Sequence, residues 1–261
     1  MADVTVSPRT RDRIDAAPRF TQADVIRLNN LFRGQDAAEV VASVIGAGLL
    51  GETGIVSSFG AESAVLLHLV TQAAPDMPVL FLDTGKHFPE TLTYRDELAA
   101  KLKLNIVNLT PDPEELAVKD GTELRWSYDP DGCCEIRKVK PLEKALVDFD
   151  TSITGRKGFQ SSTRQGLARF ELDGTTGRLK FNPLANWTRD QLDAYFTEHD
   201  LPRHPLEAEG YPSIGCSPCT SKVKLGEDPR SGRWRGWDKT ECGIHTEVTP
   251  IDDDPANDPV F

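Results

Sequence analysis

The chain has 261 residues, 38% of them hydrophobic and 27% charged, with a formal net charge of −11. That length suits one α/β domain with a full core or two small domains, and the acidic balance excludes a general nucleic-acid binder, which would carry a basic surplus. An acidic protein still binds an anion wherever lysines and arginines cluster locally. The leading stretch MADVTVSPRTRDRID lacks the apolar segment of a secretory signal. The longest apolar run, VVASVIGAGLL at 40–50, is interrupted by Ser43 and two glycines and is too short to span a bilayer. A cytoplasmic protein with no membrane partner is expected. Its reduced cysteines then point to a metal site or to catalysis before disulfides.

Residues 1–20 read as an irregular, polar lead-in. Helices are predicted at 22–33 and 36–50, then a strand at 54–59 (GIVSSF) and a helix at 61–74. A strand at 77–85 (MPVLFLDTG) ends in a glycine turn, followed by a helix at 89–102 and a strand at 104–109. Short apolar strands alternating with helices of this length mean βαβ units and a parallel twisted sheet flanked by helices. A helix over about 133–148 follows, with Ile136, Val139, Leu142 and Leu146 at helical spacing. Pro141 should kink or restart it. TSITG (151–155) is a further strand, and ARFELDG with RLKFNP forms a hairpin closed between Gly174 and Gly177. Thr188 caps the helix RDQLDAYFTEH. From about 205 the chain is loop-rich, and the closing IDDDPANDPV is expected to be disordered. The expected division is a lead-in at 1–20, one α/β domain at 21–228 and a mobile carboxy-terminal segment at 229–261.

SSFGAES (57–63) joins the first strand to its helix, a turn that aims backbone N–H groups and hydroxyls at a helix N-terminus and so makes an anion site. It lacks the Gly-Lys-Ser/Thr of a Walker A loop. It resembles the pyrophosphate loop Ser-Gly-Gly-x-Asp-Ser of the adenine-nucleotide α-hydrolase-like superfamily. Ser58, Gly60 and Ser63 match, Phe59 replaces a glycine and Glu62 replaces the aspartate. Phe59 takes backbone room that a triphosphate would use, which points to another anion, such as sulfate or a single phosphate. At the same sheet edge LDTG ends the next strand and offers Leu82 and Thr84 toward a ligand, a plain turn being the other reading.

The cysteines fall into two pairs and one over. Cys216 and Cys219 (CSPC) have a common zinc-site spacing, whereas Cys133 and Cys134 are adjacent and diverge by about 100° on a helix. That divergence fits the separate corners of a cubic iron–sulfur cluster better than one tetrahedral ion, with zinc kept as the alternative. Cys242 lies in TECGIH near the end of the chain, where a buried structural cysteine would not be placed. Taken together, CCEIRKVKPL, GCSPCT and ECGIH resemble the assimilatory adenosine 5′-phosphosulfate (APS) reductases of the APS/phosphoadenosine-phosphosulfate (PAPS) reductase family, over roughly residues 54–245.

The resemblance implies a [4Fe–4S] cluster on Cys133, Cys134, Cys216 and Cys219, with Cys242 as nucleophile. It implies APS as substrate, because PAPS-specific members generally lack the paired cysteines. It places Lys138 between cluster and substrate. It assigns Gly155, Arg156, Gln160 and Arg164 of TGRKGFQSSTR to the nucleotide, and Arg230 and Arg233 of DPRSGRWRGW to the phosphosulfate. Arginine suits this task because its planar fork meets such oxygens in pairs. Arg137, beside Lys138, is expected to add to the same positive field.

Attack of a thiolate on the sulfur of APS would release AMP and leave a Cys242 S-sulfonate. His245 and the arginines would favour that thiolate. A second thiol must then release sulfite, and the chain has none to spare. Thioredoxin, the reductant in the resembled family, meets that need. No electron need pass through the cluster, which is expected to be structural and electrostatic.

Three rivals stay open at this point: the same mechanism on PAPS, an ATP-using sulfur-transfer enzyme of the same superfamily, and a non-catalytic iron–sulfur or zinc redox sensor. His68 reads as a satisfied core residue, His199 and His204 as capping or surface residues. Trp234 and Trp237 read as shields of the site or anchors of the tail. Oligomeric state is not legible in one sequence, a homo-oligomer being one option.

Overall fold

The computed structural model describes residues 19–244 except 161–163, 165, 174, 175 and 225. The expected lead-in up to residue 18, Gly174 of the hairpin turn and the IDDDPANDPV tail therefore lie outside the described residues. Six strands form one sheet: β1 Thr53–Ser57, β2 Pro78–Leu82, β3 Asn105–Leu109, β4 Thr151–Thr154, β5 Phe170–Leu172 and β6 Leu179–Phe181. Their order across the sheet is β3-β2-β1-β4-β6-β5. Every neighbouring pair is parallel except β5 with β6, which form the expected antiparallel hairpin. Helices α1 Gln22–Leu31, α2 Ala37–Gly46, α3 Ser63–Ala73, α4 Pro89–Leu102 and α5 Pro113–Lys119 precede the cysteine-bearing segment. That segment runs through α6 Pro130–Cys134 and α7 Lys140–Leu146, and α8 Arg189–Glu198 and α9 Pro205–Ala208 follow. Among the described residues no helix is long and apolar enough to cross a membrane.

The sheet is parallel because its central strands are apolar on both faces. Ile55, Val79, Phe81 and Ile153 are fully buried, as are Val40 and Val44 of α2 and Leu67 and Val70 of α3. Each such side chain contributes about 1.5–3 kcal/mol on burial. The exposed edge is covered on one side: Asn29 of α1 accepts from the Phe170 N–H at 3.1 Å and donates to its carbonyl at 2.8 Å, blocking further strand pairing along β5. The chain runs outward from β1 through β2 to β3, and the connection from β3 crosses back to β4 on the other side of β1. The crevice between the carboxyl ends of β1 and β4 is therefore the topological switch point, where α/β sheets bind ligands.

Two sequence expectations need refinement. The helix predicted from 133 begins at α6, where the Asp129 side chain accepts from the Gly132 N–H at 2.8 Å and Pro130 takes the first helical position. Pro141 does not end that helix. A π-helical turn, Glu135–Val139, precedes it, and the chain resumes as α7 with Pro141 in its first turn. The wider turn relieves the clash that a proline ring makes with the carbonyl four residues back.

His204 caps α9. Its Nδ1 accepts from the Leu206 N–H at 3.2 Å, and its Nε2 lies 3.0 Å from the Thr91 hydroxyl. Burial, opposed weakly by Glu90, lowers its pKa to about 4. Between that value and the ordinary 6.5 the unfolded chain binds more protons than the native one, so stability rises with pH across this window. The contribution is complete above about 6.5 and is lost as pH falls through about 4. Asn can cap a helix without titrating. Urea unfolding of His204→Asn should therefore lose about 2.5 kcal/mol less than the wild type between pH 7 and pH 4.5.

Candidate active site

A cavity of about 200 Å³ opens at the switch point. The turn after β1 supplies Ser58, Gly60 and Ser63 to its wall, and the end of β2 supplies Leu82 and Thr84. Beyond β4 come Gly155, Arg156, Gln160 and Arg164, while the carboxy-terminal segment contributes Arg230, Arg233 and Cys242. Lys138 and Cys216 complete the wall on the thiol side. Residues scattered over 185 positions of sequence thus face one space. His245 lies outside the described residues.

Phe59 is turned away from that space. Its ring is fully buried and meets Phe81 edge-on, with centroids 5.5 Å apart. Its backbone holds φ 50°, the left-handed shape that a glycine would take without strain. The burial of the ring offsets that strain, so the turn keeps the glycine conformation without a glycine. The room that Phe59 was expected to take from a ligand is therefore left open on the side-chain side.

Several cavity residues are held by ion pairs that the sequence does not reveal. Glu62 accepts from Lys157 Nζ and from Gln160 Nε2, both at 2.8 Å, and Arg189 lies 3.3 Å away. Burial pushes the Glu62 pKa up, but Lys157, Gln160 and Arg189 hold it below the usual carboxylate value. Arg156 pairs with Glu171, and Gln160 accepts from Arg164. Arg137, expected to face the anion, does not line the cavity. It pairs with the buried Asp120 at 2.7 Å and donates to the Thr84 carbonyl at 2.7 Å. Its charge is spent on tying α6–α7 to the end of β2. Lys157 sits inside the quoted TGRKGFQ and Arg189 opens α8, but only contacts between distant segments mark either as part of the site.

Behind the cavity the other thiols gather. Cys133 and Cys134 come from α6, and Cys216 and Cys219 from a short turn, Ser217–Cys219, pinned when the Ser217 N–H donates to the Lys86 carbonyl at 2.7 Å. Burial together with the neighbouring Cys134 and Cys216 pushes the Cys133 thiol up to about 12. Burial also raises Cys219, with Cys216 adding to it. Cys216 goes the other way: against burial, Lys138, the Thr84 hydroxyl at 3.3 Å and Arg233 pull it down. Among the described residues, no three His, Cys, Asp or Glu side chains close on one point as a single metal ion requires. Four soft thiol donors on two rigid turns, crowded enough to repel one another's charge, are a donor set that fits an iron–sulfur cluster with ligands at separate corners.

Lys138 lies between the two groups. Its buried ammonium is 3.8 Å from Cys134 Sγ and also lines the cavity. Burial works to discharge it, and the sulfurs of Cys216, Cys242 and Cys134 outweigh burial and raise its pKa. The buried Trp234 packs under Arg233, whose guanidinium carbon lies 4.5 Å from the ring centre.

Residues 52–222 match the family model described as phosphoadenosine phosphosulfate reductase domain. The chain is 50% identical over 235 residues to adenosine 5′-phosphosulfate reductase of Chelativorans sp. strain BNC1, covering 88% of this chain and 95% of that protein. It is 46% identical over 196 residues to phosphoadenosine 5′-phosphosulfate reductase of Gloeobacter violaceus, covering 73% and 81%. Among solved structures, the phosphate complex of phosphoadenylyl-sulfate reductase from Candida auris aligns with a TM-score of 0.67 at 27% identity, over 80% of this chain and 100% of that one.

Gly215 tests the geometry without touching a reacting group. A Cβ there would overlap the Arg233 guanidinium, the far end of a flexible side chain that can swing away. Gly215→Ala should therefore melt within a few degrees of the wild type, roughly the span of a ΔΔG below 1 kcal/mol, yet lose about tenfold or more in kcat/KM as Arg233 leaves its place. Thermal melts and steady-state kinetics on the same preparation check both halves.

Proposed function

We propose that this chain, which belongs to the APS/PAPS reductase family, reduces adenosine 5′-phosphosulfate to sulfite and AMP, with Cys242 as nucleophile and thioredoxin as the source of electrons. The observation that carries this reading is the meeting of Cys242, the β1 turn and the Arg164, Arg230 and Arg233 guanidiniums on one cavity at the switch point.

In this reading the β1 turn and the residues after β4 seat the nucleotide, while Arg230, Arg233 and Lys138 neutralise the phosphosulfate. The Cys242 thiolate attacks the sulfur, an S–S bond forms, and the S–O bond to AMP breaks with its electron pair going to the AMP phosphate. Lys138 and the arginines lower the barrier by lying where negative charge builds on the sulfonyl oxygens. A thioredoxin thiolate next attacks Cys242 Sγ, releasing sulfite and forming a mixed disulfide. The second thioredoxin thiol then displaces Cys242 as a thiolate. Two electrons pass from dithiol to sulfur, and thioredoxin leaves as the disulfide.

Cys133, Cys134, Cys216 and Cys219 are the residues that would hold the [4Fe–4S] cluster. Bound there, it would supply a fixed charge beside Lys138 and a tie between α6 and the Ser217–Cys219 turn, the reducing equivalents coming from the external thiols. The paired cysteines and the relatives named for APS support APS over PAPS as substrate.

Intact mass of the iron-containing protein, mixed separately with APS and PAPS without reductant, tests the reading. The expected result is one added SO3 with APS, mapped to Cys242, absent in Cys242→Ser and discharged by thioredoxin. An adduct with PAPS alone would keep the mechanism and change the substrate. No adduct with either would overturn the reading in favour of an ATP-using or sensory protein.

A further inference from the structure

Glu241, the residue before Cys242, is gripped by two of the cavity arginines. Arg164 donates to its carboxylate through Nε at 2.9 Å and Nη2 at 3.0 Å, and Arg230 Nη2 reaches the same group at 3.1 Å. Arg230 also donates to the Thr240 carbonyl at 2.7 Å. These bonds join the segment after β4 to the carboxy-terminal segment across 77 positions, and they hold Cys242, next in the chain, at the cavity wall.

Positive charge is in excess here. Burial, with Arg164 and Arg233 adding repulsion against the pull of Glu241, lowers Arg230 to about 10, so it remains a cation at neutral pH. Arg233 Nε is buried without a hydrogen-bond partner. One carboxylate thus serves a group of guanidiniums that has room for more negative charge. Paired N–H···O bonds from an arginine fork to a carboxylate have the same form as those to a phosphate or sulfate group. The space left over, about 200 Å³, is smaller than the roughly 300–1,000 Å³ of small-molecule sites. That is the size expected of a site partly filled by its own tail.

We propose that Glu241 is a latch whose carboxylate stands in for the substrate's anion on Arg164 and Arg230 in the substrate-free protein, and that the arriving sulfonucleotide displaces it. The assignment rests on the substrate class given under the proposed function. The phosphosulfate brings two negative charges to arginines that Glu241 answers with one, so substrate wins the exchange. Until then the latch keeps the Cys242 thiol half-buried and away from other electrophiles. Displacement frees Glu241, and Cys242 beside it, at the moment the sulfur is in place. The latch lowers apparent affinity, because only the unlatched fraction can bind.

Two measurements on the iron-containing protein test this. First, the rate of Cys242 alkylation by iodoacetamide without substrate, read by intact mass and peptide mapping, should rise about five- to tenfold in Glu241→Gln, the gain expected if roughly a tenth to a fifth of the wild type is unlatched. Glu241→Asp, whose shorter arm keeps the charge but loses one arginine, should fall between. Second, calorimetric binding of APS should be about five- to tenfold tighter in Cys242→Ser/Glu241→Gln than in Cys242→Ser. A merely structural role for Glu241 would not tighten binding. Equal alkylation rates, or weaker APS binding in the double variant, would overturn the latch. Faster alkylation with no APS binding in either protein would leave the latch standing and bring down the substrate reading instead.

Discussion

Burying the Lys138 ammonium would cost several kcal/mol if nothing answered its charge. Sulfur is its nearest company: Cys134 Sγ lies 3.8 Å away, and Cys216, Cys242 and Cys134 raise its pKa against burial. Two distant parts of the chain, α6 with its π turn and the Ser217–Cys219 turn, face each other across this lysine. The π turn sets Lys138 four residues beyond Cys134 on a path wide enough to pass Pro141. The same lysine presents its charge to the cavity on its other side. Any negative group entering there meets a cation that cannot retreat into water.

Around that centre the ionic groups fall into two sets. Arg137 with Asp120, Lys157 with Glu62 and Arg156 with Glu171 are closed pairs whose charges cancel. Breaking a buried pair of this kind costs about 3–5 kcal/mol, so these pairs act as struts that fix the ends of β2 and β4 and the turn after β1. Lys138, Arg164, Arg230 and Arg233 form the open set, in which Glu241 answers Arg164 and Arg230. An overall acidic protein can thus keep a local positive field, because the field comes from the cations left out of the struts and not from net charge.

Much of the frame was legible in advance. Apolar runs of four to six residues between helical repeats mark β1 to β4, and the Gly174–Gly177 stretch between ARFEL and RLKF marks the antiparallel pair. The cysteine pairs and the TECGIH tail pointed to a shared neighbourhood through their resemblance to the APS reductases. What the sequence concealed is pairing across distance. Nothing near Arg137 says that Asp120 will claim it, and nothing near Glu62 says that Lys157, 95 positions on, will bury beside it. Phe59 shows the same limit in another form. Its side chain in place of a glycine looked like an obstacle, yet the ring found room in the core and the backbone held the left-handed turn.

The closed and open sets also explain how charge docks the stretch that carries the nucleophile. Trp234, whose indole seats under Arg233, is the last buried residue among the described residues of the carboxy-terminal segment, and Ile244 packs, partly buried, on the cluster of Leu80, Leu82 and Leu142. Between those two points the segment is attached by ions: Lys239 to Asp131 and Glu241 to Arg164 and Arg230. An arginine fork that answers a carboxylate answers a phosphate or sulfate group in the same way, whereas a buried apolar contact has no such partner to exchange for. A residue held by apolar burial would have to unfold locally before it could move. One held by arginines that prefer a doubly charged ligand lets go when that ligand arrives. The attachment of the nucleophile is thereby governed by the anion it is to attack.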